Sequence, residues 1–123
     1  MSVIVAKRKR SRLEYVSTSS DLLKYTIQRC LKLPKRLTFF ITTKIVDTAH
    51  DIYKNVLYIE KLYYSKELEI RKTKINETIA ILEYLGSTLD ILMIYAQAQF
   101  TEKQWEKWVG LINKEIALLK GIK

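Results

Sequence analysis

Ile75, Ile79, Leu82, Gly86, Leu89, Met93 and Ala96 follow one another at steps of four and three, and no proline interrupts the chain beyond Pro34. Side chains at that spacing share one face of an α-helix, so the pattern predicts a long heptad-like helix over residues 66–98. The same period recurs three more times. Leu13, Val16, Ser20, Leu23, Ile27 and Cys30 form a seam over 12–32. Leu37, Ile41, Ile45, Thr48, Ile52, Val56 and Ile59 form one over 35–59. Trp105, Trp108, Ile112, Ile116 and Leu119 line a last helix over 102–120. Ser11–Glu14 and Thr101–Gln104 have the spacing of capping boxes, Ser65 suits an N-cap, Leu33-Pro34 closes the first helix and Gly121 the last. Ser17–Ser20 argues the other way, since four hydroxyl side chains compete for backbone hydrogen bonds.

One proline and three glycines are too few turn formers for a many-stranded sandwich. The expected fold is therefore all-α. Short connections make neighbouring helices antiparallel, which predicts an up-down-up-down four-helix bundle over 11–123 preceded by a flexible basic arm over 1–10. A chain of 123 residues buries enough apolar surface to fold without a metal or disulfide staple. The single cysteine, Cys30, lies on the first seam and suits a reducing compartment, so the expected location is cytoplasmic. Val3–Ala6 precedes Lys7–Arg10, the reverse of a signal peptide, and no unbroken run approaches the ~18 apolar residues of a membrane span; no membrane association is expected.

The charge is lopsided. Residues 1–44 hold half of the 22 Lys and Arg but only Glu14 and Asp21 of the 13 acids, a balance of +9, and the remainder balances to zero. Such a field suits a polyanion. In the expected bundle one end collects Lys7, Arg8, Lys9, Arg10, Arg12, Lys61, Lys66, Arg71, Lys72, Lys74, Lys120 and Lys123, against Glu14, Glu60, Glu67 and Glu69. The other holds Lys32, Lys35 and Arg36, and Lys103, Lys107 and Lys114 line a stripe on the last helix. All of these cations except Lys61, Lys120 and Lys123 are the candidate nucleic-acid contacts. No aromatic platform alternates with them in the sequence and no Arg pairs with Asn or Gln at base-reading spacing, so contacts to phosphate and shape are expected. Residues 91–96 are apolar on every side, and with Phe40 and Tyr58 they predict a homo-oligomer whose interface includes Phe40, Tyr58, Ile91, Ile94 and Tyr95.

Catalysis finds no constellation. His50 is the only histidine and sits at the edge of the second seam near Asp47 and Lys54, where a solvated side chain is the simpler reading. Cys30, Trp105 and Trp108 stand at core spacing, and Glu67 and Glu69 face different ways. No glycine-rich phosphate loop occurs. No enzyme activity, metal or cofactor is expected.

Ser11-Arg12-Leu13-Glu14-Tyr15, then Lys32-Leu33-Pro34-Lys35-Arg36 leading into Thr38-Phe39-Phe40, and Trp108 with Leu111-Ile112-Asn113-Lys114-Glu115 resemble the four-helix-bundle family of accessory variability determinant proteins. That family is related to the proteins encoded in intervening sequences of ribosomal RNA genes. The resemblance implies a non-enzymatic, ring-shaped homopentamer that binds nucleic acid, RNA before DNA, and partners the reverse transcriptase of a diversity-generating retroelement. It places the basic residues of 32–36 and of the amino-terminal arm on the nucleic-acid or polymerase-facing surface. The rival reading from the residues is a structural bundle that binds an acidic protein surface.

Overall fold

Apolar side chains returning every three to four residues carry the chain into four α-helices: α1 (Ser2–Cys30), α2 (Thr43–Leu62), α3 (Leu68–Ala96) and α4 (Glu102–Gly121). The structure is a computed structural model that describes residues 2–123, with side chains described from Glu14 onward. No strand occurs among the described residues, and the chain is all-α, as expected. α1 begins at Ser2, ahead of the Ser11–Glu14 capping box expected to open it, and the side chains of residues 1–13 lie outside those described.

Pro34 ends α1 in the way its chemistry requires. It cannot donate to a helical ladder, and the chain leaves α1 through turns closed by Leu31 N donating to Ile27 O and Leu33 N donating to Cys30 O, at 3.0 and 3.1 Å. It then re-enters helical geometry in stages, as a 3₁₀ turn over Lys35–Leu37 and a π turn over Thr38–Thr42. The wide π turn is tied by Thr43 Oγ1 donating to Thr38 O at 2.9 Å. The α-helical part of the second seam thus begins later than the 35–59 reading. At α4 the expected capping box is present in full: Thr101 Oγ1 accepts from Gln104 N at 3.2 Å, and Gln104 Oε1 accepts from Thr101 N at 3.0 Å. α3 starts differently. Ser65 is not its N-cap; Ser65 Oγ donates to Leu62 O and accepts from Glu67 N, which makes it a turn residue, and the helix opens after Glu67.

α1 and α3 each pack on α2 and α4. The contacts that join them are specific. Tyr15 Oη donates to Glu60 Oε2 at 2.6 Å between α1 and α2, and Tyr25 Oη donates to Gln104 O at 3.1 Å between α1 and α4. Arg71 Nη1 donates to Ile122 O at 3.0 Å, linking α3 to the chain just past α4. Between them lies a continuous core of Ile45, Ile52, Val56 and Ile59 from α2, Ile75, Leu82, Leu85, Leu89 and Leu92 from α3, and Trp108, Ile112 and Leu119 from α4. Phe100, Trp105, Trp108 and Tyr25 close one end as an aromatic cluster with centroids 5.0 to 6.3 Å apart. Trp108 Nε1 donates to Thr26 Oγ1 at 2.9 Å, so a buried donor is satisfied by a buried hydroxyl.

The seam of α1 is corrected. Tyr15, Thr18, Ser19, Leu22, Tyr25 and Thr26 are buried, with Cys30 of the expected seam, whereas Val16, Ser20, Leu23 and Ile27 are only half-buried. The helix is turned by about one residue, or 100°, from the apolar reading, because tyrosine and threonine found partners across the core. The hydroxyl run is absorbed without breaking the helix, Ser19 Oγ donating back to Val16 O. A second feature concerns α3. Leu68–Gln99 is long and apolar enough to cross a membrane by length and composition, with 28% of its apolar window buried among the other helices. Counting unbroken apolar runs does not register it, because Glu83 and Asp90, with Gly86, Ser87 and Thr88, break the run while the surrounding Ile and Leu keep its mean hydropathy high.

Candidate nucleic-acid interface

The connection from α1 to α2 presents the most exposed mixture of charge and aromatic surface. Lys32, Lys35 and Arg36 are exposed, and the π turn that follows swings Phe39 and Phe40 outward, 88% and 81% exposed. A π turn widens the helix by one residue per turn, so both rings stay outside the core that the neighbouring Leu37 and Ile41 join. Lys66 and Lys72 are exposed at the entrance of α3, and Lys103, Lys107 and Lys114 along α4. Among the described residues no carboxylate stands within ion-pair distance of Lys32, Lys35, Arg36, Lys66, Lys72 or Lys103. Lys114 pairs with Glu14 at 3.4 Å and Lys74 with Glu77 at 3.1 Å. Lys7, Arg8, Lys9, Arg10 and Arg12 lie outside the described side chains.

Several of the candidate cations are already engaged. Arg71 is 9% exposed: besides its bond to Ile122 O, its guanidinium stacks 5.4 Å from the Tyr63 ring centroid, so it fastens α3 to its surroundings and is withdrawn from the surface. Lys107 Nζ stands 4.9 Å from the Tyr25 ring centroid, at the mouth of a small recess with Asp21, Lys24 and Gln28. Lys74 Nζ is 5.7 Å from the Tyr58 ring centroid as well as paired with Glu77.

The residues expected at an oligomer face separate into three places. Phe40 belongs to the α1–α2 connection, Tyr58 lies between α2 and α3, and Ile91, Ile94 and Tyr95 stand together on the outside of α3 while Leu92 and Ala96 point inward. The apolar girth of 91–96 is thus half core and half exposed. Beside it, Met93, Phe100, Trp105, Val109 and Gly110 line a recess of about 740 Å³ between α3 and α4.

Two titratable groups in the interior, Cys30 and Glu115, are shifted by burial toward their neutral forms. Burial pushes the Cys30 thiol up to about 12, which keeps it a thiol near neutrality and fits its packing in the core. Glu115 was missed as an interior residue. It is fully buried, neither carboxylate oxygen has a hydrogen-bond partner, and burial raises its pKa to about 8 against the lowering effect of Lys114. A signal for it existed: Glu115 sits three residues after Ile112 and four before Leu119, squarely on the seam of α4. Among the described residues no group of His, Cys, Asp and Glu is placed to hold a metal ion.

Sequence reasoning also passed over a stripe on α2. His50, Lys54, Tyr58 and Lys61 recur at helical spacing on its outer side, and the structure sets Lys74 of α3 beside them. The spacing was legible, but each residue taken alone resembled an ordinary solvated position. Comparison with known proteins finds no family model, no curated protein and no solved structure that matches the chain.

Proposed function

We propose that this protein is a non-enzymatic, basic accessory protein that binds nucleic acid, RNA before DNA, beside the reverse transcriptase of a diversity-generating retroelement. The observation that carries the nucleic-acid part is the +9 excess confined to residues 1–44, together with the exposed and unneutralised Lys32, Lys35, Arg36, Lys66, Lys72 and Lys103. Exposed cations with no carboxylate at ion-pair distance among the described residues exchange their counterions for phosphates, and that exchange drives salt-dependent binding. The polymerase partner rests on the resemblance of residues 11–15, 32–40 and 108–115 to the accessory variability determinant family.

The finer architecture belongs to the same reading. The helices run up-down-up-down and antiparallel, supported by Tyr15 meeting Glu60, Tyr25 meeting Gln104 and Arg71 meeting Ile122. Copies assemble through the exposed faces at Phe40 and at Ile91, Ile94 and Tyr95, as a pentamer by the resemblance, which multiplies the positive field around one assembly; Tyr58, also expected at that interface, is left out of it because it lines a separate recess on α2.

Titration of a labelled single-stranded RNA at several salt concentrations tests the proposal. The expected result is a linear fall of log affinity with log salt, and replacing Lys7, Arg8, Lys9, Arg10 and Arg12 by Ala flattens the slope by about 0.7 for each phosphate no longer neutralised. Absence of salt-dependent binding overturns it. A second reading, a bundle that docks on an acidic protein surface, is favoured by Phe39 and Phe40 standing exposed beside Lys35 and Arg36, since exposed aromatics next to cations also suit a protein interface. Heparin and RNA displace each other under the first reading; under the second, one acidic protein resists displacement by either.

A further inference from the structure

The groove between α2 and α3 is a recess of about 710 Å³ whose lining brings together His50, Asp51, Lys54, Tyr58, Lys61 and Lys74. Its chemistry differs from that of the other recesses. Three lysines stand with one carboxylate, an imidazole and two aromatic rings, Tyr53 and Tyr58. Tyr58 is 43% exposed, and Lys74 Nζ lies 5.7 Å from its ring centroid, so a cation and an open aromatic surface share one wall.

We infer that this groove binds a single-stranded nucleic acid running along α2, with Lys54, Lys61 and Lys74 on its phosphates and a base stacked on Tyr58. The inference rests on the nucleic-acid reading above and names a site for it. His50, Lys54, Tyr58 and Lys61 follow steps of four, four and three, so they form a track in which neighbours are about 4.5 to 6 Å apart along the axis. That rise is comparable to the step between phosphates in an extended strand. The exposed part of the Tyr58 ring, beside the Lys74 ammonium, accepts any base, which gives binding without sequence preference. A duplex cannot use the track, because its bases are already stacked on one another.

The groove also fixes the course of the strand. Across the Tyr58–Lys74 wall lies a second recess lined by Glu69, Ile70, Thr73 and Glu77, whose carboxylates repel phosphate. The strand therefore follows α2 between His50 and Lys61 and does not cross onto that part of α3. Glu77 already holds Lys74 at 3.1 Å, so Lys74 contributes less to phosphate binding than Lys54 and Lys61, which have no ion-pair partner among the described residues.

Fluorescence anisotropy of the full chain with labelled single-stranded oligo-U and with a duplex RNA of equal length tests the inference. Tyr58→Ala lowers single-strand affinity by roughly fivefold to a hundredfold and duplex affinity far less, and Tyr58→Phe restores most of the loss. Lys54→Ala combined with Lys61→Ala lowers the single-strand salt slope by about 1.4. Circular dichroism checks that each variant keeps its helix content, which these outward positions predict. If the wild-type chain binds oligo-U in a salt-dependent way and both variants match it, the groove is not the site, while the broader nucleic-acid reading stands. Failure of the wild-type chain to bind any nucleic acid overturns both. Equal loss of single-strand and duplex binding in Tyr58→Ala, or displacement of oligo-U by polyglutamate as readily as by unlabelled oligo-U, overturns the stacked base.

Discussion

Glu115 occupies a position on α4 where Ile or Leu would satisfy the seam, and it lies in the core with both oxygens unpartnered. A carboxylate there would forgo hydration without gaining a partner, so the group is held as the neutral acid, its pKa raised by burial to about 8 from 4.5. Because the folded pKa is the higher one, the folded state binds more protons than the unfolded state between those values. The contribution of Glu115 to stability is therefore fully present below about pH 4.5 and is lost as pH rises toward about 8. The loss by neutral pH is on the order of 3 kcal/mol. Thermal melts of the wild-type chain from about pH 5 to about pH 8 should show a falling midpoint, and Glu115→Gln should flatten that profile and melt higher at the alkaline end. A variant whose profile parallels the wild type would show that Glu115 is hydrated or paired in solution. Arg71 shows the converse at the same scale: a charged residue read from sequence as a phosphate ligand is withdrawn into a packing role by Tyr63 and the Ile122 carbonyl.

The existence of α2, α3 and α4 was legible from spacing because most of the inward residues of α2 and α3 are Ile, Leu and Val and those of α4 include two Trp, although single seam positions were misplaced: Thr48, Gly86, Met93 and Ile116 are half-buried, and Ala49, Leu85, Leu92 and Glu115 are buried beside them. The capping box of α4 was legible for a local reason, since its two hydrogen bonds involve residues three apart. The seam of α1 was not. Its apolar set at 16, 23 and 27 lies one residue away from the set that is buried, and only Trp108, Gln104 and Glu60 on other helices decide which way the helix turns. The π turn over 38–42 was equally hidden, because nothing in Thr-Phe-Phe-Ile-Thr forbids ordinary α-helix. The glycines within helices test whether these elements are limited by backbone entropy. A Cβ built on Gly86 or Gly110 meets no atom within 4 Å, so nothing in the packing requires glycine there. Replacing each by Ala should stabilise the chain by about 0.5–1 kcal/mol, read as a rise in urea midpoint at unchanged slope. A drop in stability would show that a partner molecule occupies the space beside the helix.

Across the whole molecule, apolar surface and positive charge are both left uncovered by the bundle. Ile94 and Tyr95 are 76% and 66% exposed on the outside of α3, and Phe39 and Phe40 stand out at the α1–α2 connection. A helix that is apolar outside as well as inside needs cover on its outer face, and assembly of copies supplies it without another partner. Light scattering should give a mass several times 14.5 kDa, and Ile94→Glu should reduce it by placing a charge in the interface. A wild-type mass of a single chain would remove the oligomer from the proposed function while leaving the α2 groove intact, because that groove is complete within one copy.

Helical periodicity, the proline stop and the cap signals act within a few residues of one another, and for that reason the sequence by itself determined the helical class, the number of helices and the uneven placement of charge. Which face of α1 is buried, that Arg71 is hidden while Lys54 and Lys61 stay exposed, and that a glutamate sits in the core were decided only when the helices packed. Those outcomes depend on pairings between residues far apart in the chain, such as Trp108 with Thr26 and Arg71 with Ile122, and on desolvation that no local spacing encodes.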